Sequence, residues 1–204
     1  EIMPSLVGSE MCIRDSPSHP LALEWLRQCP YVVCCDGAAN TYIRSGRMPE
    51  AIVGDGDSLL PDIKERYASL IHSEAEQETN DLSKAFRFCL SQERKRITIM
   101  GATGKREDHT IGNVSLLADY MEQAEVSMMT DYGIFVPIRE DSMFESYIGQ
   151  QISVFNMNST ALSAEGLAYP LSVFTNWWQG TLNEALARHF IIRTEGKVLV
   201  FRVF

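Results

Sequence analysis

RITIMGATGKREDHTIGN, residues 96–113, decides how the chain is read. Its first five residues, Arg96 to Met100, are rich in strand formers, and the run stops at Gly101-Ala102-Thr103-Gly104. Helical spacing takes over from about His109 to Met121, with Ile111, Leu116, Leu117 and Tyr120 near one face. A strand, a glycine-rich turn and a helix, in that order, belong to a parallel α/β sheet. The glycines let backbone N–H groups come close to an anion, and a helix N-terminus attracts one. Lys105 and Arg106 add positive charge, and an arginine can grip two phosphate oxygens at once. The spacing is not that of a Walker A loop. On its own the turn says little, because such units are common. His109 on its own reads equally as a capping or packing residue.

The alternation extends toward the N-terminus. Short apolar runs at 31–35 and 51–53 end at Asp36-Gly37 and Gly54-Asp55. The spacing predicts helices over 21–27, 40–45, 60–71 and 81–90; the last puts Leu82, Ala85, Phe86 and Cys89 on one face. Thr79, Asn80 and Asp81 are its N-cap candidates. In open parallel sheets ligands bind off the carboxyl ends of the strands, and the polar clusters of this sequence begin there. Past about Ser127 the long helices stop. Apolar runs fill 127–130, 132–138 and 151–155, and HFIIRTEGKVLVFRVF, residues 189–204, predicts a hairpin turning at Glu195-Gly196. An α/β domain over 17–125 is therefore expected to precede a smaller all-β domain over 126–204. Residues 1–16 stand apart. LVGSEMCIRD, residues 6–15, follows neither period and resembles translated sequencing adapter. The segment is expected to be non-native and to leave the sheet without its first strand.

Composition narrows the function. The 204 residues are 45% hydrophobic and 22% charged, ordinary for a globular domain, and the net charge is −9. That balance argues against a nucleic-acid partner, which calls for a basic face. No apolar stretch approaches a membrane span. None of the five cysteines forms a C-x-x-C pair, and a reducing, cytoplasmic setting is expected. An acidic chain with a phosphate-type loop poses an electrostatic problem that a cation would solve. Asp36, Asp55 and Asp57 follow predicted strands, and Asp81 opens a helix. Any one of these can be read as a turn former. Four together suit a hard ion such as magnesium, bridging carboxylates to ATP phosphates.

CDGAAN (35–40), GDGDS (54–58), TNDLSKA (79–85) and GATGKREDHTIGN (101–113) resemble, in order and spacing, the signature blocks of thiamine pyrophosphokinases. GLAYPL (166–171) and GTLNEA (180–185) resemble that family more loosely. The resemblance implies a Rossmann-like ATP-binding domain before a β-sandwich, and a homodimer with thiamine in clefts between subunits. It implies transfer of diphosphate from ATP to the thiamine hydroxyl. Asp36, Asp55, Asp57 and Asp81 would hold magnesium. Gly101, Thr103, Gly104, Lys105, Arg106, His109 and Asn113 would contact ATP. Asp36, Asp57, Asp81 and Asp108 would serve catalysis, with Asp36 or Asp108 taking the hydroxyl proton. Asn183 and Trp177 or Trp178 would hold thiamine, although core packing is an equal reading for the tryptophans. Gly56 stands where the family favours an aromatic residue, and Leu182 where it favours serine. Competing readings are a haloacid dehalogenase-like phosphatase, from Asp55-Gly56-Asp57, and a nucleotide- or thiamine-binding module without turnover.

Overall fold

The computed structural model describes residues 10–13, 17–74, 76 and 78–204. The chain divides into two compact units. In the first, strands β1 (Glu10–Ile13), β2 (Tyr31–Cys35), β3 (Ala51–Gly54), β4 (Ile71–Ser73), β5 (Arg96–Met100) and β6 (Glu125–Met129) form a parallel sheet. Its order is β6-β5-β1-β2-β3-β4. Helices α1 (Pro20–Gln28), α2 (Ala38–Arg44), α3 (Pro61–Arg66), α4 (Asp81–Ser91) and α5 (Glu107–Ser115) belong to the same unit. The inner strands are nearly unbroken apolar runs because both faces are covered: Val32 to Cys35 and Ala51 to Gly54 are buried throughout.

The central strand is the main surprise. β1 lies between β2 and β5, pairing Glu10 with Tyr31 and Ile97, and Ile13 with Cys34 and Met100. The expected loss of the first strand is thus corrected by four residues of the segment set aside above. The physical reason is that ladder hydrogen bonds come from the backbone. A short extended stretch can fill a gap one strand wide through its backbone, and Met11-Cys12-Ile13 has the apolar composition that an inner strand calls for. The rest of 1–16 lies outside the described residues.

Three further differences have local causes. The helix expected over 60–71 ends at Arg66, and its last apolar residue, Ile71, opens edge strand β4 opposite Ile52. The helix expected from His109 to Met121 breaks into α5 and α6 (Leu117–Tyr120). Near that break the Ser115 hydroxyl donates to the Gly112 carbonyl, competing with the helical ladder. The parallel sheet also runs past residue 125, because β6 pairs with β5. Asp131 still belongs to this unit: its carboxylate accepts from Ser18 N and Oγ and His19 N, at the start of α1.

The second unit, described by itself, comprises residues 116–122 and 132–204. Strands β7 (Gly133–Ile138), β8 (Ser142–Glu145), β9 (Gln151–Asn156), β10 (Leu162–Glu165), β11 (Asn183–Glu184), β12 (His189–Thr194) and β13 (Val198–Val203) build two antiparallel layers. One has the order β11-β9-β13-β7 and the other β10-β12-β8. Ile152, Val154, Val198 and Val200 from the first meet Phe144, Leu162, Phe190 and Ile192 from the second in one buried core. Phe144 and Phe190 stack across β8 and β12 at 5.1 Å between centroids. The predicted hairpin at Glu195-Gly196 is corrected here. The turn exists, but β12 pairs with β8 and β10 while β13 pairs with β7 and β9. The two strands form an arch between layers. Gly196 permits it: φ is +118°, and a Cβ there would lie 2.9 Å from Ser159 Cα.

Candidate functional site

A cleft of about 510 Å³ opens off the carboxyl ends of β2 and β5, the two neighbours of β1. The strand order reverses direction along the chain at this place, where a parallel sheet is built to receive ligands. Of the residues expected in the site, the cleft is lined by Asp36, Asp81, Gly101, Thr103, Lys105, Arg106 and His109.

Asp36 is the best-defined member. It is 5% exposed, with φ of +33°. Its N–H donates to Val53 O at 2.9 Å, continuing the ladder past the end of β2. Gly54 makes the fit possible, since a Cβ there would lie 2.8 Å from Asp36 Cβ. Asp36 Oδ2 accepts from Ser58 N at 3.0 Å, whereas buried Oδ1 has no hydrogen-bond partner. Burial pushes this carboxyl above its ordinary range; the Ser58 bonds oppose the shift, and Asp55 and Asp81 add to it. Asn40 ties the same corner together, donating to Ser58 O at 2.8 Å and accepting from Leu60 N at 3.0 Å. Ser58 and Asn40 were given no role above, although both stand inside quoted blocks. Their work is done through backbone bonds that a block of letters does not show.

Asp55 and Asp57 lie on the exposed loop that supplies Ser58, and Asp55 Oδ1 accepts from Asp57 N at 3.1 Å. Neither lines the cleft. Among the described residues no three His, Cys, Asp or Glu side chains are grouped to hold a metal. The four aspartates are therefore not a ready-made cage. This suits magnesium, which takes one or two carboxylates and completes its shell with water and substrate phosphates. The unpartnered Asp36 Oδ1 is an open acceptor, for a cation or for a proton.

The turn after β5 is held from below. Asn113 is 1% exposed and stands behind the turn, not among the residues that line the cleft. Its Nδ2 donates to Ala102 O at 2.7 Å, and its Oδ1 accepts from Asn80 Nδ2 at 3.3 Å. Asn80 caps α4, accepting from Ser83 N at 2.9 Å. One buried amide thus links the glycine-rich turn to the helix end that carries Asp81. Gly104 and Asp108 are also absent from the lining. Asp108 accepts from Arg106 Nη2 at 2.6 Å and Nε at 3.1 Å. The Arg106 guanidinium, helped by the His109 N–H, holds this carboxyl down at about 2.

In the second unit Asn183 is 4% exposed and spans a turn, accepting from Tyr169 N and donating to Tyr169 O. It also accepts from Glu184 N. Both amide ends serve the backbone in this structure. Trp177 and Trp178 open a short 3-10 turn, Trp177–Gly180. Trp177 meets Phe155 edge-on at 6.1 Å, and Trp178 is 73% exposed, so neither is a core residue.

The sequence profile described as "Thiamin pyrophosphokinase, catalytic domain" matches residues 22–129, and the one described as "Thiamin pyrophosphokinase, substrate-binding domain" matches residues 133–201. Thiamine pyrophosphokinase 1 of Oryza sativa subsp. japonica is 30% identical over 129 residues, covering 51% of this chain and 49% of that protein. Thiamine pyrophosphokinase of Bacillus subtilis is 34% identical over 86 residues, 40% of each. The chain spans about half the length of the first of these relatives. The solved structure of thiamine pyrophosphokinase from Bacillus subtilis shares the fold, with a TM-score of 0.82 over 96% of this chain and 98% of that one, at 20% identity. With the first profile alone spanning more than half of its residues, the chain belongs to the thiamin pyrophosphokinase family.

Proposed function

We propose that the chain transfers a diphosphate group from ATP to the hydroxyl of thiamine, releasing AMP and thiamine diphosphate. The observation that carries this reading is one cleft holding two kinds of group. Asp36 and Asp81 offer carboxylate oxygens, while Lys105, Arg106 and the turn after β5 offer donors to phosphate. In this reading the parallel sheet is a Rossmann-like ATP-binding domain, and the β unit serves thiamine, with Trp178 the more available aromatic surface. Two chains would pair in a reducing, cytoplasmic setting.

Magnesium, held by Asp81 with Asp55 and Asp57, would neutralise the charge that spreads over the phosphates during transfer, which leaves Asp36 Oδ1 for the proton. The chain's own groups do the rest. Lys105 and Arg106 fix the polyphosphate, and the turn's N–H groups limit its rotation. The thiamine oxygen then forms its bond to the β-phosphorus as the bond from that phosphorus to the AMP oxygen breaks. The hydroxyl proton passes to a carboxylate. Asp36 suits this task better than Asp108: its Oδ1 has no partner and burial raises its basicity, whereas Asp108 is tied to Arg106.

The test is AMP release from ATP and magnesium, with and without thiamine. Thiamine-dependent AMP, matched by thiamine diphosphate, is expected. Release of ADP or phosphate independent of thiamine would overturn the reading.

A further inference from the structure

Among the described residues only two charged side chains are buried, Asp36 at 5% and Lys84 at 4% exposed. Lys84 stands on α4 one turn beyond Asp81, and α4 packs on β2 and β3. Its Nζ lies 3.5 Å from Asp81 Oδ1, while the Asp81 side chain is 37% exposed. A buried ammonium is costly unless an anion compensates it. The hydrophobic face of α4 is complete without it, through Leu82, Ala85, Phe86 and Cys89. Packing alone would be met by leucine or methionine at this position. A cation placed there has an electrostatic use: it holds a half-exposed carboxylate toward a cleft that already contains buried Asp36.

We infer that Lys84 is a positioning residue that fixes the Asp81 carboxylate in the orientation needed to receive a nucleotide-bound divalent cation. The inference rests on the proposed function for its substrate. Without Lys84, Asp81 is repelled by its neighbouring aspartates and turns toward solvent. The ammonium acts through Asp81 and touches no substrate. Its position i+3 on the helix sets the reach, since residues three apart share a face. Asp81 presents Oδ1 to the lysine, and the residue itself lines the cleft.

The test measures ATP binding by calorimetry, without thiamine, in magnesium and in EDTA. In wild-type protein, magnesium is expected to tighten binding. Lys84→Met is expected to reduce affinity in magnesium by about tenfold or more and to leave affinity in EDTA nearly unchanged. In an Asp81→Asn background the same substitution is expected to change neither value. A purely structural lysine would weaken both conditions together and would add its loss to that of Asp81→Asn; either result overturns the inference. Wild-type-like magnesium dependence in folded K84M overturns it as well. Melting curves are recorded first, and Lys84→Gln takes the place of K84M if the latter does not unfold cooperatively. Thiamine-dependent AMP release by the wild-type chain is assayed in parallel. Its absence would count against the proposed function, whereas wild-type turnover with an unaffected K84M would count against Lys84 alone.

Discussion

The two units use their strands in different ways. In the parallel unit each signature block occupies the carboxyl end of a strand or the start of a helix, so a position in the sequence is nearly a position in the cleft. In the β unit the residues singled out for thiamine part company: Asn183 is locked into a turn, and Trp178 stands in solvent. Parallel strands all point the same way, and their carboxyl ends converge whatever the connections. Antiparallel layers bring no such convergence, and local pattern does not say which layer a strand joins. The chain after Thr194 demonstrates this, since β12 and β13 adjoin in sequence and pair in different layers.

The largest effects should therefore come from carboxylates of the parallel unit. Asp57→Asn and Asp81→Asn are each expected to lower thiamine-dependent AMP release by about 10²–10³-fold, the scale of losing a group that stabilises transition-state charge. Thiamine KM should change little. A wild-type rate in either variant would remove that aspartate from the site. Asp81 lines the cleft and Asp57 does not, so a much smaller loss in D57N would show that the cleft's walls, not the motif, define the machinery.

Asp36→Asn sharpens the point by separating activity from stability. Turnover should fall on a similar scale. Because burial raises the Asp36 carboxyl, its ionised form disfavours folding. That penalty is absent at pH below the unfolded value and grows as pH rises through the higher folded one. At neutral pH the asparagine variant should melt about 2–4 °C higher, and the difference should shrink in acid. An unchanged or lower melting temperature at pH 7 would mean that the unpaired Oδ1 is not a strained feature of the folded chain.

How much of this was legible follows from the same contrast. Gly101, Thr103, Lys105, Arg106 and Asp36 could be placed in one cleft because they follow apolar runs, and parallel strands bring their carboxyl ends together. The block that holds Asn113 points to ATP, whereas its bond to Ala102 O and its burial are tertiary facts that spacing does not carry. Lys84 stayed hidden for the opposite reason, since a lysine on an amphipathic helix is normally solvated. β1 is hidden by its brevity and its setting: Met11-Cys12-Ile13 is apolar but too short to declare a strand, and it pairs in a slot made by β2 and β5 that only the folded sheet shows.

The β unit should respond more weakly, and its two kinds of residue should respond differently. Asn183→Ala leaves Tyr169 N and O without their partners and is expected to cost about 1–3 kcal/mol of stability, read by denaturant melts. Trp178→Ala removes an exposed ring, so stability should hold. Thiamine KM is expected to rise by about threefold to tenfold if the ring stacks on a cationic heterocycle. Trp177→Ala, whose ring already meets Phe155, should mix a small stability loss with a smaller KM effect. A reversal, with KM rising in N183A and unchanged in W178A, would break the proposed division between turn-forming and ligand-facing residues.

The smallest effect concerns Asp108, and it bears on which carboxylate takes the proton. Arg106 holds Asp108 by two bonds, and the carboxyl is depressed to about 2. A depressed folded value contributes stability above the unfolded value, near ~3.9, and loses it as pH falls through about 2. Both side chains are largely exposed, at 71% and 61%, so water and salt screen the pair. Asp108→Asn should shift the melting temperature by no more than about 1 °C at neutral pH, and the two proteins should converge near pH 2. Its kinetic signature is more telling. A carboxylate depressed that far is a poor proton acceptor at neutral pH unless phosphate first draws Arg106 away. With Asp36 as the acceptor, D108N should lose about tenfold or less, mostly in ATP KM, because what changes is the readiness of Arg106. A loss in kcat as large as that of D36N, with ATP KM unchanged, would reassign the proton to Asp108. The exposed ion pair would then be a latch that nucleotide binding must open before chemistry begins.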